Sequence, residues 1–405
     1  MPKADPTDNL LTRKLSASVT GERIFAGSKK TRKTDNSPVY LKKIGVNFGT
    51  VQNSYATATF SSAGTEFDGI GGLVGKNVGT VKNSYANVTM DSTFGINLGG
   101  LVGTNYYGGV ILDNYANGSI KGRDSVGGIT AWSEGNVHHN FVQMNLQAYA
   151  PGASANPLMS PSWSGFFYEN YYDFSINPTQ SYGTEGLSAN QMLHASNFTG
   201  FDFTNTWFTY EGKTTPLLRS FLTPLNVTVS VSGSKTYDGT TACGPIACGY
   251  AIDNALIAGK QLLGTRVVSL SSKNAGAVKG DLDLYSDQQG YLINTTYTGL
   301  ANINKADLTV TATQATKTYD GTTNAPGMGI VGAIAGAGAG ETVKRKGSQV
   351  YLDKNAGSGK TVRASGVTIK DRGGVDVSAN YNINYVDNTS SVIDKPNALV
   401  KTCSE

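Results

Sequence analysis

The chain has 405 residues with 50 glycines, 21 tyrosines and only 15% charged residues, a composition that disfavours helices and points to a β-rich, turn-rich protein of two to four domains. No run of about eighteen apolar residues is present, so no helix spans a bilayer. The net charge is +4, but residues 1–43 hold ten Lys or Arg against four acids, so the rest is near neutral; the basic stretch around Lys29, Lys30, Arg32 and Lys33 lacks the interleaved aromatics of a nucleic-acid surface.

Residues 1–43 read as a disordered basic leader without the apolar core of a secretory signal. From residue 44 to 150 one phrase returns about every thirty residues: Gly71-Gly72-Leu73-Val74-Gly75 leads to Val81-Lys82-Asn83-Ser84-Tyr85-Ala86, and Gly99-Gly100-Leu101-Val102-Gly103 leads to Asp113-Asn114-Tyr115-Ala116. Val51-Gln52-Asn53-Ser54-Tyr55-Ala56 precedes them, and Gly127-Gly128-Ile129 with Asn140-Phe141 follows. A unit this short cannot close its own core, so copies must stack. Short strands between glycine corners predict a parallel β-solenoid rising about 4.8 Å per coil. Stacking should align Tyr55, Tyr85, Tyr115 and Phe141 in an aromatic column, and Asn53, Asn83 and Asp113 in a polar ladder.

Residues 151–222 lose the repeat and gain aromatics, among them Trp163, Tyr171, Phe201 and Trp207, which suits a segment capping the exposed solenoid end. Ser188-Ala189-Asn190-Gln191 has capping-box spacing and predicts one short helix through Met192 and Leu193. Two tandem β domains are then expected at 223–304 and 305–394. Each opens on an alternating strand running into Lys235-Thr236-Tyr237-Asp238-Gly239-Thr240-Thr241 or Lys317-Thr318-Tyr319-Asp320-Gly321-Thr322-Thr323, turns in which Gly supplies positive φ and Asp caps the backbone. Lys273-Asn274-Ala275-Gly276 also returns as Lys354-Asn355-Ala356-Gly357. Residues 395–405 read as the start of a further module or a tail. The overall fold class is all-β: a short solenoid with a capping segment, followed by two small domains.

Gly72-Leu73-Val74-Gly75 and Gly100-Leu101-Val102-Gly103 resemble the GLUG motif, and Tyr237-Asp238-Gly239 and Tyr319-Asp320-Gly321 resemble the signature of YDG domains. Together they resemble a fragment of a filamentous-haemagglutinin-type adhesin of Gram-negative bacteria, exported by two-partner secretion. The resemblance implies β-grasp-like YDG modules, a secreted or cell-surface location and an outer-membrane secretion partner. It also implies a protein or glycan receptor on host cells. The signal and secretion domain of that family are not recognisable here, which suggests a truncated product whose export is in question.

Reactive constellations are sparse. His138 and His139 are neighbours whose side chains should face opposite ways on a strand, precluding shared metal ligation. Asp281, Asp283 and Asp287 alternate onto one strand face and could attract Ca²⁺, although a solvated face is the simpler reading. Gly357-Ser358-Gly359-Lys360-Thr361 lacks the spacing of a phosphate loop. Cys243 and Cys248 could close a small loop, and no cofactor or metal site is expected. Between residues 45 and 150 the acids do not recur at one repeat position, so a non-catalytic adhesin is favoured over a carbohydrate-active β-helix enzyme or a purely structural spacer. Tyr106 and Tyr107, where a coil could bulge, are the candidate ligand contacts.

Overall fold

The computed structural model describes residues 18–20, 24–25, 44–62, 67–92, 94–159, 165–179 and 182–397; most of the expected leader, Trp163 in the expected cap, Cys403 and residues 398–405 lie outside them. Within these limits the chain is all-β, its strands interrupted by 3-10 turns. It divides into two units: Met1–Thr223 with Gly259–Leu262 and Tyr285–Leu292, and Pro224–Ala258 with Leu263–Leu284 and Ile293–Glu405. The segment expected as one domain at 223–304 is therefore shared between the units.

The first unit is a stack of four-stranded coils. In one coil the strands are Val74–Asn77, Thr80–Lys82, Tyr85–Ser92 and Gly95–Gly99. Each pairs in parallel and in register with its equivalents on either side: Val74 with Ile44 and Val102, Val81 with Val51 and Ile111, Tyr85 with Tyr55 and Tyr115, Leu98 with Ile70 and Val126. Leu73, Val81, Val88, Leu98, Leu101 and Ile111 fill the interior with their counterparts from neighbouring coils.

The paired glycines exist because there is no room for anything else. A Cβ on Gly72 would lie 2.1 Å from the Gly100 carbonyl oxygen, and one on Gly99 would lie 1.8 Å from that of Val102. Such approaches are inside van der Waals contact, so glycine is required by space rather than by backbone angle.

The next corner works differently. Asn53, Asn83, Asp113, His139 and Glu169 all adopt positive φ, between 48° and 55°. The expected ladder of Asn53, Asn83 and Asp113 is thereby corrected: the left-handed turn takes these side chains off the ladder, and the buried Asn53 carboxamide oxygen has no hydrogen-bond partner. The residue after each turn faces inward instead. Asn114 Nδ2 donates to Asn140 Oδ1 at 3.1 Å, Asn140 Nδ2 to Asn170 Oδ1 at 3.0 Å, and the Ser84 amide to Asn114 Oδ1 at 2.9 Å. A second ladder joins Asn47, Asn77 and Asn105 by Nδ2 to Oδ1 bonds of 2.7 Å each, ending on Ser133.

Tyr55, Tyr85, Tyr115 and Phe141 stack with ring centroids 5.2, 4.8 and 5.0 Å apart. Strand alternation puts Ala86, Val88 and Met90 inside the coil, so the rings stand on the outer face of the sheet. Part of residues 151–222 continues the coil, with Phe141 pairing with Tyr171. Met192, Phe198, Phe201, Trp207 and Leu218 then cover the ring column from the side, so this segment shields a lateral face rather than only the end. The capping box forms, the Ser188 amide donating to Gln191 Oε1 at 2.9 Å and the Gln191 amide to Ser188 Oγ at 3.3 Å, but it opens only a 3-10 turn, Gln191–Leu193.

In the second unit the two repeats share one strand plan. Val227, Val229 and Val231 lie on a strand flanked by Ala247–Ile252 and by the 293–298 stretch of a further strand, as Leu308 and Val310 lie on one flanked by Ile330–Val331 and Tyr381–Val386. Ser234–Thr236 pairs in parallel with Ala301–Asn304, and Thr316–Thr318 with Asn388–Asp394.

Tyr85→Ala, which opens a cavity in the covered ring column, is expected to cost about 3 kcal/mol of stability. Tyr85→Phe removes only the hydroxyl that accepts from Gln289 and is expected to cost about 1 kcal/mol. Urea denaturation of both variants separates ring packing from the hydrogen bond.

Candidate functional site

The seven-residue signature of the second unit is a self-contained turn. Lys235 Nζ donates to Asp238 Oδ1 at 2.9 Å, to the Thr240 carbonyl at 3.1 Å and to the Ala242 carbonyl at 2.7 Å. Asp238 Oδ1 in turn accepts from the Thr240 amide and hydroxyl, each at 2.9 Å. The second copy repeats this: Lys317 Nζ bonds Asp320 Oδ1 and the Thr322 carbonyl at 2.7 Å each, while Asp320 Oδ1 accepts from the Thr322 amide and hydroxyl. Gly239 and Gly321 close the turns at φ of 76° and 77°. Sequence reasoning assigned the glycine and the aspartate and missed the lysine, whose spacing three residues before an acid was the available signal.

The tyrosines of the two turns have different surroundings. Tyr237 is 1% exposed; its hydroxyl donates to Glu341 Oε1, and Tyr381 donates to Glu341 Oε2 at 2.6 Å. Burial, and then the hydrogen bond to Glu341, raise the pKa of both phenols. Tyr319 is 38% exposed.

Tyr106 and Tyr107, adjacent in sequence, also separate. Tyr106 packs edge-on against Trp132 of the next coil, centroids 5.8 Å apart, with Lys76 Nζ 5.9 Å from its ring centre. Tyr107 is 82% exposed, beside Gly108 at φ +84°. Phe48, 56% exposed, occupies the corresponding corner of an earlier coil.

At the left-handed corner, Asp113, His139 and Glu169 succeed one another at the same repeat position. His139 Nε2 lies 2.7 Å from Glu169 Oε2, and His139 Nδ1 lies 3.8 Å from Asp113 Oδ1. Trp207 Nε1 donates to Asp113 at 3.2 Å. Burial raises the Asp113 pKa against the opposing effects of that bond and of His139. The expectation that His138 and His139 face apart is overturned: positive φ at His139 breaks strand alternation, and the two rings contact each other edge-on at 4.8 Å, with His138 stacked on Tyr168 at 4.7 Å. Sequence reasoning missed this column because Glu169 lies in the segment where the repeat is no longer legible.

The remaining candidates stay apart. Among the described residues no group of three or more His, Cys, Asp or Glu side chains could hold a metal ion, and Asp281, Asp283 and Asp287 do not converge. Gly357 to Thr361 runs within the strand Gly357–Lys370, where Lys360 pairs with Asp353. Cys243 and Cys248 are joined in a disulfide. Of the repeat residues, Leu73 and Leu101 are buried in the coil interior, Tyr55, Tyr85 and Tyr115 form the covered column, and Gly72, Gly75, Gly100 and Gly103 stand at close backbone approaches.

Hydrogen bonds from Lys317 and then from Thr322 hold the Asp320 carboxyl at about 2, below its ordinary value of 3.8. A depressed carboxylate pKa adds stability that is complete above about pH 4 and is lost as pH falls through about 2. Asp320→Asn is therefore expected to destabilise the second unit at pH 7, and the difference from the parent should shrink as the pH is lowered from about 4 to about 2. Urea midpoints over that range check both the sign and the window.

Comparison with known proteins gives one family: residues 304–390 match the YDG domain. No curated protein and no solved structure matches the chain.

Proposed function

We propose that this chain is part of a non-catalytic surface adhesin of the filamentous-haemagglutinin type, with GLUG-like coils followed by two YDG-type modules. It attaches to host-cell proteins or glycans through a repetitive β surface, and its export uses an outer-membrane secretion partner. The observation that carries this reading is the in-register pairing of the coils, which repeats exposed side chains in columns. Thr57, Asn87 and Asn117 form one such column, and Thr59, Thr89 and the half-buried Ser119 form another, every pair in parallel register. Equal spacing presents the same hydroxyl and amide groups again and again, so weak contacts add up once a ligand is itself repetitive. Tyr107 contributes an exposed ring of low conformational entropy, and the YDG match at 304–390 is consistent with a module of such proteins.

One observation favours a second reading, a carbohydrate-active β-helix enzyme: Asp113, His139 and Glu169 gather two carboxylates and an imidazole on one lateral face. Against it, Trp207 donates to Asp113 and His139 contacts Glu169, so both carboxylates already have partners.

Beads carrying many copies of the full chain are expected to retain host cells or glycans better than soluble single copies compete for them, and Tyr107→Ala should weaken retention without changing the urea midpoint. Equal retention by array and single copy removes avidity as the mechanism. Turnover of a glycan panel that disappears in Asp113→Asn favours the enzyme instead.

A further inference from the structure

The two repeats of the second unit carry the same seven-residue turn, yet one turn is buried in its neighbour and the other is open. Tyr237 of the first repeat reaches Glu341 of the second, with its ring 5.4 Å from that of Tyr381. A Cβ on Gly239 would meet Ala339 at 2.9 Å and Glu341 and Gly336 at 3.2 Å, all from the second repeat. A second prong lies beside it. The Ala275 amide donates to Asn380 Oδ1 at 2.9 Å, Asn380 Nδ2 to Asn274 Oδ1 at 3.2 Å, and Lys273 pairs with Asp371 at 3.2 Å. The first repeat thus clasps the second with its Tyr-Asp-Gly turn and its Lys-Asn-Ala-Gly loop.

The second repeat keeps both prongs and leaves them exposed. Tyr319 is 38% exposed, against 1% for Tyr237, and nothing lies within 4 Å of a Cβ built on Gly321. Lys354 and Asn355, matching Lys273 and Asn274, are exposed as well. Their shape is not a product of docking: the Lys317, Asp320 and Thr322 bonds hold the free turn as the Lys235, Asp238 and Thr240 bonds hold the docked one.

A third turn of this kind precedes both. Thr209-Tyr210-Glu211-Gly212 reads like Thr236-Tyr237-Asp238-Gly239, and Gly212 has φ of 70°. Within the first unit the Tyr210 hydroxyl donates to the Tyr291 carbonyl at 2.7 Å. Tyr291-Leu292-Ile293-Asn294 stands in the first repeat where Tyr381-Asn382-Ile383-Asn384 stands in the second. Two of the three turn tyrosines are therefore engaged, Tyr210 by the Tyr291 carbonyl and Tyr237 by Glu341 beside the equivalent Tyr381.

We propose that the Tyr319-Asp320-Gly321 turn and the Lys354-Asn355-Ala356-Gly357 loop form a docking surface for a further YDG-type module, which presents a carboxylate flanked by a tyrosine as Glu341 and Tyr381 do. The tyrosine hydroxyl donates to that carboxylate, and the lysine pairs with an acid placed like Asp371. The junction Ile303-Asn304-Lys305, which joins the two repeats, returns as Ile393-Asp394-Lys395, so the chain leaves the second repeat with the same lead-in. The inference does not rest on adhesion; it concerns how modules join.

The test is an extended chain in which a second copy of residues 305–397 follows Asp394, its own Tyr319 changed to Phe so that only the original turn is read. In the parent chain, tetranitromethane should nitrate Tyr319 and spare Tyr237. In the extended chain, nitration of the original Tyr319 is expected to fall about tenfold, as burial limits reaction to rare local opening. Tyr319 that stays as reactive as in the parent, with Tyr351 of the added copy protected, overturns the proposal. A second readout does not depend on tyrosine chemistry: Asn355→Cys paired with Asn380→Cys in the added copy should close a disulfide under mild oxidation. No closure there, where Asn274→Cys with Asn380→Cys closes in the parent chain, overturns it too.

Discussion

Close approach of backbones at the glycine corners is the constraint on which the first unit depends. A Cβ at Gly72, Gly100 or Gly128 would lie about 2 Å from a carbonyl oxygen of the next coil, so a single larger residue would force neighbouring coils apart. Because coil-to-coil hydrogen bonds are in register at every face, that displacement would be felt at all four strands together. Order in the stack is therefore set by what is missing from side chains as much as by what is present.

Once the coils are held at strand spacing, identical side chains must sit one above another. For Leu and Val this builds a continuous interior. For buried asparagine it would be costly unless each amide meets the next, and the 2.7 Å bonds through Asn47, Asn77 and Asn105 meet that requirement. The same spacing turns tyrosine into a column, whose outer side the 187–221 segment has to cover. A covering segment of irregular backbone is thus a consequence of placing large rings on the outside of the coil.

Much of this was legible. Period, glycine corners and the alignment of Tyr55, Tyr85, Tyr115 and Phe141 follow from repeat spacing alone, because stacking offers few other ways to bury Leu73 and Leu101. What failed was one-residue detail at the left-handed corner. Asn53, Asn83 and Asp113 resemble ladder residues in composition, but positive φ hands the ladder to Ser54, Ser84 and Asn114 and brings His138 against His139. Nothing in a run mixing Asn, Asp, His and Glu announces a shared φ, although asparagine and aspartate tolerate it best among non-glycine residues. Glu169 was missed for a related reason, since it continues the column after the glycine phrase has stopped.

Identical sequences with different surroundings set the limit of local reading. Lys235 to Thr241 and Lys317 to Thr323 are the same seven residues and fold into the same bonded turn, yet one tyrosine is sealed against Glu341 and the other faces outward. The turn is fixed by contacts within itself, between lysine, aspartate and threonine, so it is formed whether or not a neighbour is present. Its burial is decided by Glu341, Asn380 and Asp371, which lie about a hundred residues away from the turn and loop they meet. A motif that is rigid before it docks loses little conformational freedom on docking, which is the property a repeated joint between modules requires.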